Sequence, residues 1–506
     1  MRVDAPPEPG GAPHLTRRLT LFDSVMLVVS GTIGASIFIT PADVLRAVPD
    51  PQFALLLWVI AGAVTLLAGL ACAELGGMFP EAGGQYVFIR EAYGGFPAFL
   101  YGWVLFTAGN SGALAAIAIT FALFLGQAFP ALAADHVLAT VWLFGTPFKL
   151  EQGAVIAIVA VVLLTAINMR SVKLAARLQN LTAVAYLAAV AGIVVFGFLL
   201  GHGDWAHFVA AAHAPGAAGA GGAAAVAGAA ALGVAPMGAA KAGVAGITLR
   251  GAGIAMIALL WSYDGWEFLS WVAGEIKNPR RNLPLALIIG ILLVIATYLL
   301  VNAVFIYALS PAQLTASAAP ADSVMRALFS GNVGRWVALF IALISFGSAS
   351  VVVLGGARIY YSMARDGVFF PSMTRVHPRW HTPVTSLLAQ CVWVISLIVT
   401  SRYDQLYTCF VFMMTLTYVL TVGAVFVLRR TQPERPRPYR CAGYPWLPAL
   451  YLFVACGFVI STLLAKPRES LIGVGMALAG IPLYVYWRKT AAQGGTVAAD
   501  APPAAR

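Results

Sequence analysis

Residues 253–284, GIAMIALLWSYDGWEFLSWVAGEIKNPRRNLP, decide how the rest of the chain is read. From 253 to 277 the run is long and apolar enough to cross a bilayer, for which about 20 helical residues suffice. Its middle nevertheless carries Asp264 and Glu267 with Gly265 between them. A carboxylate at that depth costs about 2.5–3.5 kcal/mol on insertion scales, so the segment is not expected to face lipid all round. Ser262 and Gly265 are poor helix formers and Asp264 favours caps over helix interiors. The sequence therefore predicts a break near residues 262–266. Unwound backbone at mid-membrane persists only where protein or a watery cavity satisfies it, which points to a binding site inside a helical bundle.

Composition agrees with that reading. The 506 residues are 60% hydrophobic and only 10% charged, against about 25% charged for a soluble domain. A polytopic membrane protein is expected. The N-terminal residues MRVDAPPEPGGAPHL contain no apolar run beside a small-residue cleavage site, so no removable signal peptide is expected. The net charge of +11 could suggest a nucleic-acid partner, but the basic residues fall mainly in loops on one side, and no nucleic acid is expected.

Twelve apolar spans are read, at 20–46, 53–77, 96–126, 153–169, 181–201, 253–277, 284–308, 334–364, 383–400, 404–428, 445–465 and 470–487. An even number places both termini on one side. Lys and Arg crowd the loops on that side, among them Arg170, Lys173, Arg177, Arg280, Arg281, Arg429 and Arg430. The positive-inside rule makes that side cytoplasmic. One transporter-like domain is expected over 19–488, with tails at 1–18 and 489–506, the latter disordered. The Ala/Gly-rich stretch 209–247 is read as a poorly ordered outer loop.

The first span repeats the interruption. At its centre stand Ser30-Gly31-Thr32-Ile33-Gly34-Ala35-Ser36, small side chains and weak helix formers. Interrupted hydrophobic segments at corresponding places in two halves are the best sequence pointer to a secondary-transporter site. Spans one and six correspond if the fold is five plus five helices in inverted repeat with two more appended. Small residues in a membrane helix also simply permit close packing. It is the acidic pair in the other break that favours a site. Broken helices offer unpaired N–H groups to an anion and carbonyls to a cation. A zwitterion with carboxylate and ammonium on one carbon suits that display, and Trp261, Tyr263 and Trp266 are placed to supply one wall.

At this point the chain resembles the L-type amino acid transporters, here a bacterial member, of the amino acid–polyamine–organocation superfamily. The resemblance rests on Ile33-Gly34-Ala35-Ser36-Ile37-Phe38-Ile39-Thr40-Pro41, Ala73-Glu74-Leu75-Gly76, Gly83-Gly84-Gln85-Tyr86 and Asn168-Met169-Arg170-Ser171-Val172-Lys173. It continues through Gly265-Trp266, Asn278-Pro279-Arg280-Arg281-Asn282-Leu283-Pro284, His377-Pro378, Thr382-Pro383-Val384 and Gly480-Ile481-Pro482-Leu483-Tyr484. It implies a twelve-helix carrier with helices one and six unwound around an amino acid, and no cofactor. It further implies a substrate carboxylate on the amides near Ile33, Gly34, Ala35 and Ser36. The ammonium would lie on carbonyls near Trp261 and Ser262, with Tyr263, Asp264 and Gly265 in the same break and Trp261 at the aromatic gate.

The departures from the family pattern matter as much. Ala35 and Ser36 stand where the pattern has Ser and Gly, which removes one donor and narrows the pocket. Tyr186 falls where many relatives carry a Lys. A phenol, with a reference pKa of about 10, does not shuttle protons readily near neutrality. Three readings are open for the acids: Glu267 titrating during transport, either acid countering a cationic substrate, or a hydrogen-bonded strut. Asp264 at an unwound turn also reads as a cap. Asn110, Ser111, Thr415 and Tyr418 are weaker pocket candidates and serve equally as interhelical hydrogen bonds.

The expected activity is sodium-independent exchange of small neutral L-amino acids across a bacterial inner membrane, because the adjacent hydroxyl pair of sodium-coupled relatives is missing near Ser345, Ser348 and Ser350. Proton symport through Glu267, or carriage of cationic amino acids or polyamines, is the alternative. Arg280 and Arg281 are candidates for gate salt bridges or topology-setting charge. The animal relatives join an accessory glycoprotein through a Cys after span three. Residues 129–151 contain none, so no disulfide-linked partner is expected. Neither H-E-x-x-H spacing nor a channel-like ring of charge is present, which disfavours an enzyme, a metal site or a pore.

Overall fold

The first membrane segment shows how sequence sets the architecture. In the computed structural model, which describes residues 15–143, 146–199, 203–209, 249–317, 320–329, 334–400, 403–465 and 467–493, helix α1 spans Leu21–Thr32. Thr20 opens it with a capping box: its Oγ1 accepts from the Asp23 N–H at 3.2 Å, and the Asp23 carboxylate accepts from the Thr20 N–H at 2.8 Å. The helix stops at Thr32. Ile33 and Gly34 are extended, a single 3-10 turn covers Ala35–Phe38, and α2 spans Thr40–Ala47.

Helix α3, Pro51–Met78, starts with Asp50 as its cap (2.8 Å to the Phe53 N–H) and Pro51 in the first turn. A turn through Gly83 and Gly84 leads into α4, Gln85–Tyr93. Helices α5, Gly95–Thr107, and α6, Gly109–Ala128, meet at a kink on Ala108. A short antiparallel hairpin, β1 Val137–Leu143 with β2 Thr146–Glu151, pairs Val141 with Phe148. Helices α7, Gln152–Arg170, and α8, Val172–Leu199, close the first half.

The second half begins with α9, Leu249–Ser262, which also stops short. Residues 263–267 form turns, and one turn of helix, α10 Phe268–Trp271, follows. Next come α11 Pro279–Ala308, α12 Pro311–Ala316, α13 Pro320–Leu328 and α14 Gly334–Arg365. The chain ends with α15 Val384–Thr400, α16 Tyr403–Thr431, α17 Trp446–Ala465, α18 Pro467–Leu478 and α19 Ile481–Gln493. Among the described residues, eight helices are long and apolar enough to cross a membrane. Four shorter apolar ones, Leu21–Thr32, Gly251–Ser262, Val384–Val399 and Trp446–Ile460, accompany them. The protein is a mostly helical membrane protein. Large apolar side chains such as Leu181 (68% exposed) and Phe453 (80%) face outward, as lipid-facing positions should.

Two boundaries differ from those read in the sequence. The seventh span, read as 284–308, begins earlier: Asn278 adopts a left-handed conformation (φ 47°) and Pro279 begins α11. Proline in a first turn gives up an N–H that has no partner there anyway. At the C-terminal end α19 continues to Gln493, past the boundary placed at 489, with the Thr490 hydroxyl donating to the Tyr486 carbonyl. The segment 209–247 lies outside the described residues, apart from Val209.

Helix α14 is the buried centre: every residue from Gly347 to Ala364 is buried. On the cytoplasmic side of the sequence-based topology, Glu74 of α3 is 1% exposed and accepts a forked pair from Arg429 (3.0 and 2.6 Å) and the Cys441 N–H (2.6 Å). Such charge-assisted, bidentate bonds are the strong ones. They tie α16 and the loop after it to the earlier helices.

Candidate functional site

The two interrupted segments touch. A Cβ built on Gly31 would lie 2.6 Å from the Gly265 carbonyl oxygen, and one on Gly265 would lie 2.2 Å from the Gly31 oxygen. Gly265 also has φ +105°, a conformation that side-chain-bearing residues rarely adopt. Glycine at both positions is what lets the backbones approach.

Around that contact, hydroxyls meet the carbonyls left over where the helices end. The Tyr298 hydroxyl of α11 lies 3.0 Å from the Thr32 oxygen and 2.7 Å from the Ser262 oxygen, so one group serves both helix ends. Ser348 of α14 donates to the Ser30 carbonyl at 2.9 Å, with the Ile33 carbonyl at 3.2 Å. Thr40 and Ser262 share a hydroxyl–hydroxyl bond of 2.9 Å. Buried carbonyls without such partners would cost about 1–3 kcal/mol each.

The first break also leaves space. A Cβ on Gly34 meets nothing within 4 Å. Gly34, Ala35 and Ser36 are half-buried, and their N–H groups find no acceptor among the described residues. Ile33, by contrast, is 1% exposed and its N–H returns to Val29.

The second break carries the charge. Glu267 is fully buried; its Oε2 accepts the Gly265 N–H at 3.0 Å and its Oε1 has no partner. Asp264 accepts a short hydrogen bond from Tyr418 of α16, whose ring stacks on Trp266 at 5.7 Å. Among the described residues, no Lys or Arg pairs with either acid. Trp261, Tyr263, Asp264 and Trp266 line a cleft with Thr65 and Ala68 of α3, Thr415 and Tyr418 of α16, and Tyr451 and Phe458 of α17. The aromatic wall expected from 261, 263 and 266 therefore faces α3, α16 and α17. The Tyr263 hydroxyl itself donates to the Trp58 carbonyl at 3.1 Å.

The remaining candidates lie elsewhere. Asn110 turns its amide toward α14, 3.5 Å from both the Val352 carbonyl and the Tyr360 hydroxyl, and Ser111 is fully buried. Tyr186 stacks on Phe340 at 5.8 Å, and its hydroxyl has no partner among the described residues. Phe340 in turn packs on Phe38 just past the first break. Sequence reading missed Tyr298 altogether. Its one signal was a tyrosine halfway along an otherwise apolar span. Ser348 was weighed only as a sodium ligand, and Thr65 and Tyr451 carried no signal.

Broken helices meeting at a hydroxyl-braced contact, with open backbone beside it, define a helical membrane carrier rather than an enzyme. Comparison with known proteins narrows the class: residues 19–487 match the amino acid permease family, and the chain belongs to it. It is 29% identical over 478 residues to the serine/threonine exchanger SteT of Bacillus subtilis, covering 94% of this chain and 98% of that one. It is likewise 29% identical to the human large neutral amino acids transporter small subunit 2 (96% and 84% covered). Identity to the human b(0,+)-type amino acid transporter 1 is 28% (93% and 88% covered). The protein is a multi-pass plasma-membrane amino acid transporter.

Proposed function

We propose that this permease exchanges small neutral L-amino acids by sodium-independent alternating access, its substrate held between the breaks at 33–39 and 263–267. The observation that carries the proposal is the open space beside Gly34, where the N–H groups of Gly34, Ala35 and Ser36 are uncommitted. Three successive N–H groups without an acceptor suit a carboxylate. The carbonyls of Trp261 and Ser262 each already accept one bond, from the Asp264 N–H and the Tyr298 hydroxyl. A carbonyl has two lone pairs, so that of Ser262 can still receive an ammonium.

Sodium independence is supported by Ser348. Its hydroxyl is spent on the Ser30 carbonyl, with that of Ile33 nearby, and is not part of the adjacent hydroxyl pair of sodium-coupled relatives. In this reading the fold has twelve helices, a five-plus-five inverted repeat with two more appended. Both termini are cytoplasmic in a bacterial inner membrane, and no disulfide-linked subunit takes part.

A second reading is favoured by the uncompensated acids. Two buried carboxylates without a cation are held most cheaply with a proton between them or with a cationic ligand nearby. Glu267, with Oε1 unpartnered, is the group for proton symport. Asp264, lining the cleft, is the group for a cationic side chain. Counterflow of radiolabelled neutral, cationic and acidic amino acids in proteoliposomes, with and without sodium or a pH gradient, separates these cases. Neutral-substrate exchange indifferent to both gradients is the expected result. Uptake that requires the proton gradient would replace exchange with symport.

A further inference from the structure

The acids on the cytoplasmic side of the sequence-based topology are almost all committed. Glu74 is met by Arg429 and Arg437, Glu91 by Arg90 and Arg435, Asp366 and Glu81 by Arg90, and Glu275 by Arg358. Asp23 caps α1 and accepts from the Asn180 amide. Among the described acids of that side, the exposed Glu434 alone joins no such contact. Arg280, Arg281 and Arg440 are exposed and join no ion pair among the described residues, so the gate salt bridges considered for 280 and 281 do not form.

The fold brings these three arginines to one edge. A Cβ built on Gly77, at the inner end of α3, would lie 3.7 Å from Pro438 Cδ, 3.9 Å from the Tyr439 nitrogen and 3.9 Å from Pro284 Cγ. The loop after α16 and the first turns of α11 therefore meet on the same face of α3. One turn earlier, Glu74 accepts the Cys441 N–H. Arg440 is thus flanked by two docked residues while its own side chain is exposed. Arg281 heads a stripe along α11 through Leu285, Ile289 and Leu292, all exposed, at the spacing of one helix face. Trp446, 79% exposed, opens α17 and heads a second such stripe with Leu450 and Phe453. Both helices pack on α3. Their outward stripes face lipid, so Arg281 and Trp446 stand where hydrocarbon gives way to headgroups. Tryptophan anchors at that level, and an arginine lays its stem on apolar surface while its charge stays at the headgroups.

We infer that Arg280, Arg281 and Arg440, with Trp446 beside them, bind the phosphate headgroup of an anionic phospholipid at the inner end of α3. A lipid is the occupant because the basic groups crown apolar stripes: acyl chains cover the stripes while the phosphate meets the guanidinium groups. A guanidinium offers phosphate paired N–H donors, and basic pockets between membrane helices on this side hold anionic headgroups. Topology-setting charge accounts for basic residues here in general. Arg365, Arg375 and Arg379, equally exposed at the end of α14 and in the loop after it, are charge of that general kind. The inference goes beyond the transport reading and stands or falls without it.

Native mass spectrometry of the full chain, released from nanodiscs of mixed phosphatidylcholine and phosphatidylglycerol, tests this. The wild type is expected to retain phosphatidylglycerol in preference to phosphatidylcholine. Arg280→Gln/Arg281→Gln/Arg440→Gln should bind it about a hundredfold more weakly, at about fivefold for each basic residue beside an anionic surface. Arg365→Gln/Arg375→Gln/Arg379→Gln removes the same charge elsewhere and should bind as the wild type does. Equal retention by the two triple variants, or no preference between the lipids in the wild type, overturns the site. A photoactivatable phosphatidylglycerol gives a readout that needs no variant. Its crosslinks are expected within 279–285 and 439–446; crosslinks spread evenly over the lipid-facing helices contradict the inference. Phosphatidylglycerol should also raise the thermal unfolding midpoint of the detergent-solubilised wild type, and inorganic phosphate should not. Equal stabilisation by phosphate alone would mean a free-anion site and overturn the lipid assignment.

Discussion

The two interruptions are built in opposite ways. The first, around Ile33–Ile39, has no charged side chain and presents backbone to open space. The second, from Tyr263 to Glu267, packs its backbone tightly and presents two carboxylates that no cation meets. The contrast lies between neighbouring glycines. Gly34 has room for a methyl group, whereas Gly265 has the Gly31 oxygen 2.2 Å from where its Cβ would be. A ligand-binding break keeps its space empty, and a hinge or packing break fills it. The first break is thus suited to grip a substrate through peptide groups, and the second to supply charge.

The largest effect that can break this comparison comes from Gly265→Ala. The added methyl meets backbone rather than a flexible side chain, at a φ of +105°. A destabilisation of about 3 kcal/mol or more is expected, seen as loss of monodisperse protein on size-exclusion chromatography and of all uptake. Gly265→Ala protein that folds and transports normally would show that the two breaks do not need their contact.

Glu267→Gln comes next, and it sharpens the charge side of the contrast. If Glu267 carries a proton, wild-type uptake rises as external pH falls, because the protonated carboxyl is the form loaded with substrate, and the Gln variant is flat with pH. Exchange without proton coupling leaves both profiles parallel. Initial rates of radiolabelled amino acid uptake from pH 5 to 8, roughly the range in which a perturbed carboxyl titrates, separate the two.

Smaller effects test the hydroxyl braces. Tyr298→Phe leaves the Thr32 and Ser262 carbonyls without their shared donor, and should lower stability by about 1–3 kcal/mol, visible as a fall in the thermal unfolding midpoint. Ser348→Ala removes a single donor from the first break, for a loss of about 1 kcal/mol. Equal stability in Tyr298→Phe and wild type would mean that water already serves those carbonyls.

Much of this was legible in the sequence, for a definable reason. Weak helix formers such as Gly31, Gly34 and Gly265 stand out inside apolar runs, and so do Asp264 and Glu267, because a membrane span tolerates so few departures. What the sequence hid was direction and partnership. Spacing alone did not show that Trp261 and Tyr263 face α3, α16 and α17. The bond from Tyr298 to Thr32 crosses 266 positions. The ion pair of Arg358 with Glu275, 83 positions apart, is likewise visible only in the fold. The bounds of α11 shifted for a local reason, since a proline in a first turn resembles a helix stop until the helix direction is known.

The central claim is that the open backbone at the first break is where an amino acid sits, and Gly34→Ala tests it most directly. The backbone there (φ −112°, ψ −169°) accepts alanine, and its methyl group would enter free space. Counterflow should be lost or cut at least about tenfold, the scale of blocking one binding contact, while the thermal midpoint stays that of wild type. Undiminished counterflow in a stable Gly34→Ala protein would contradict the account, because the space beside Gly34 would then not hold the substrate.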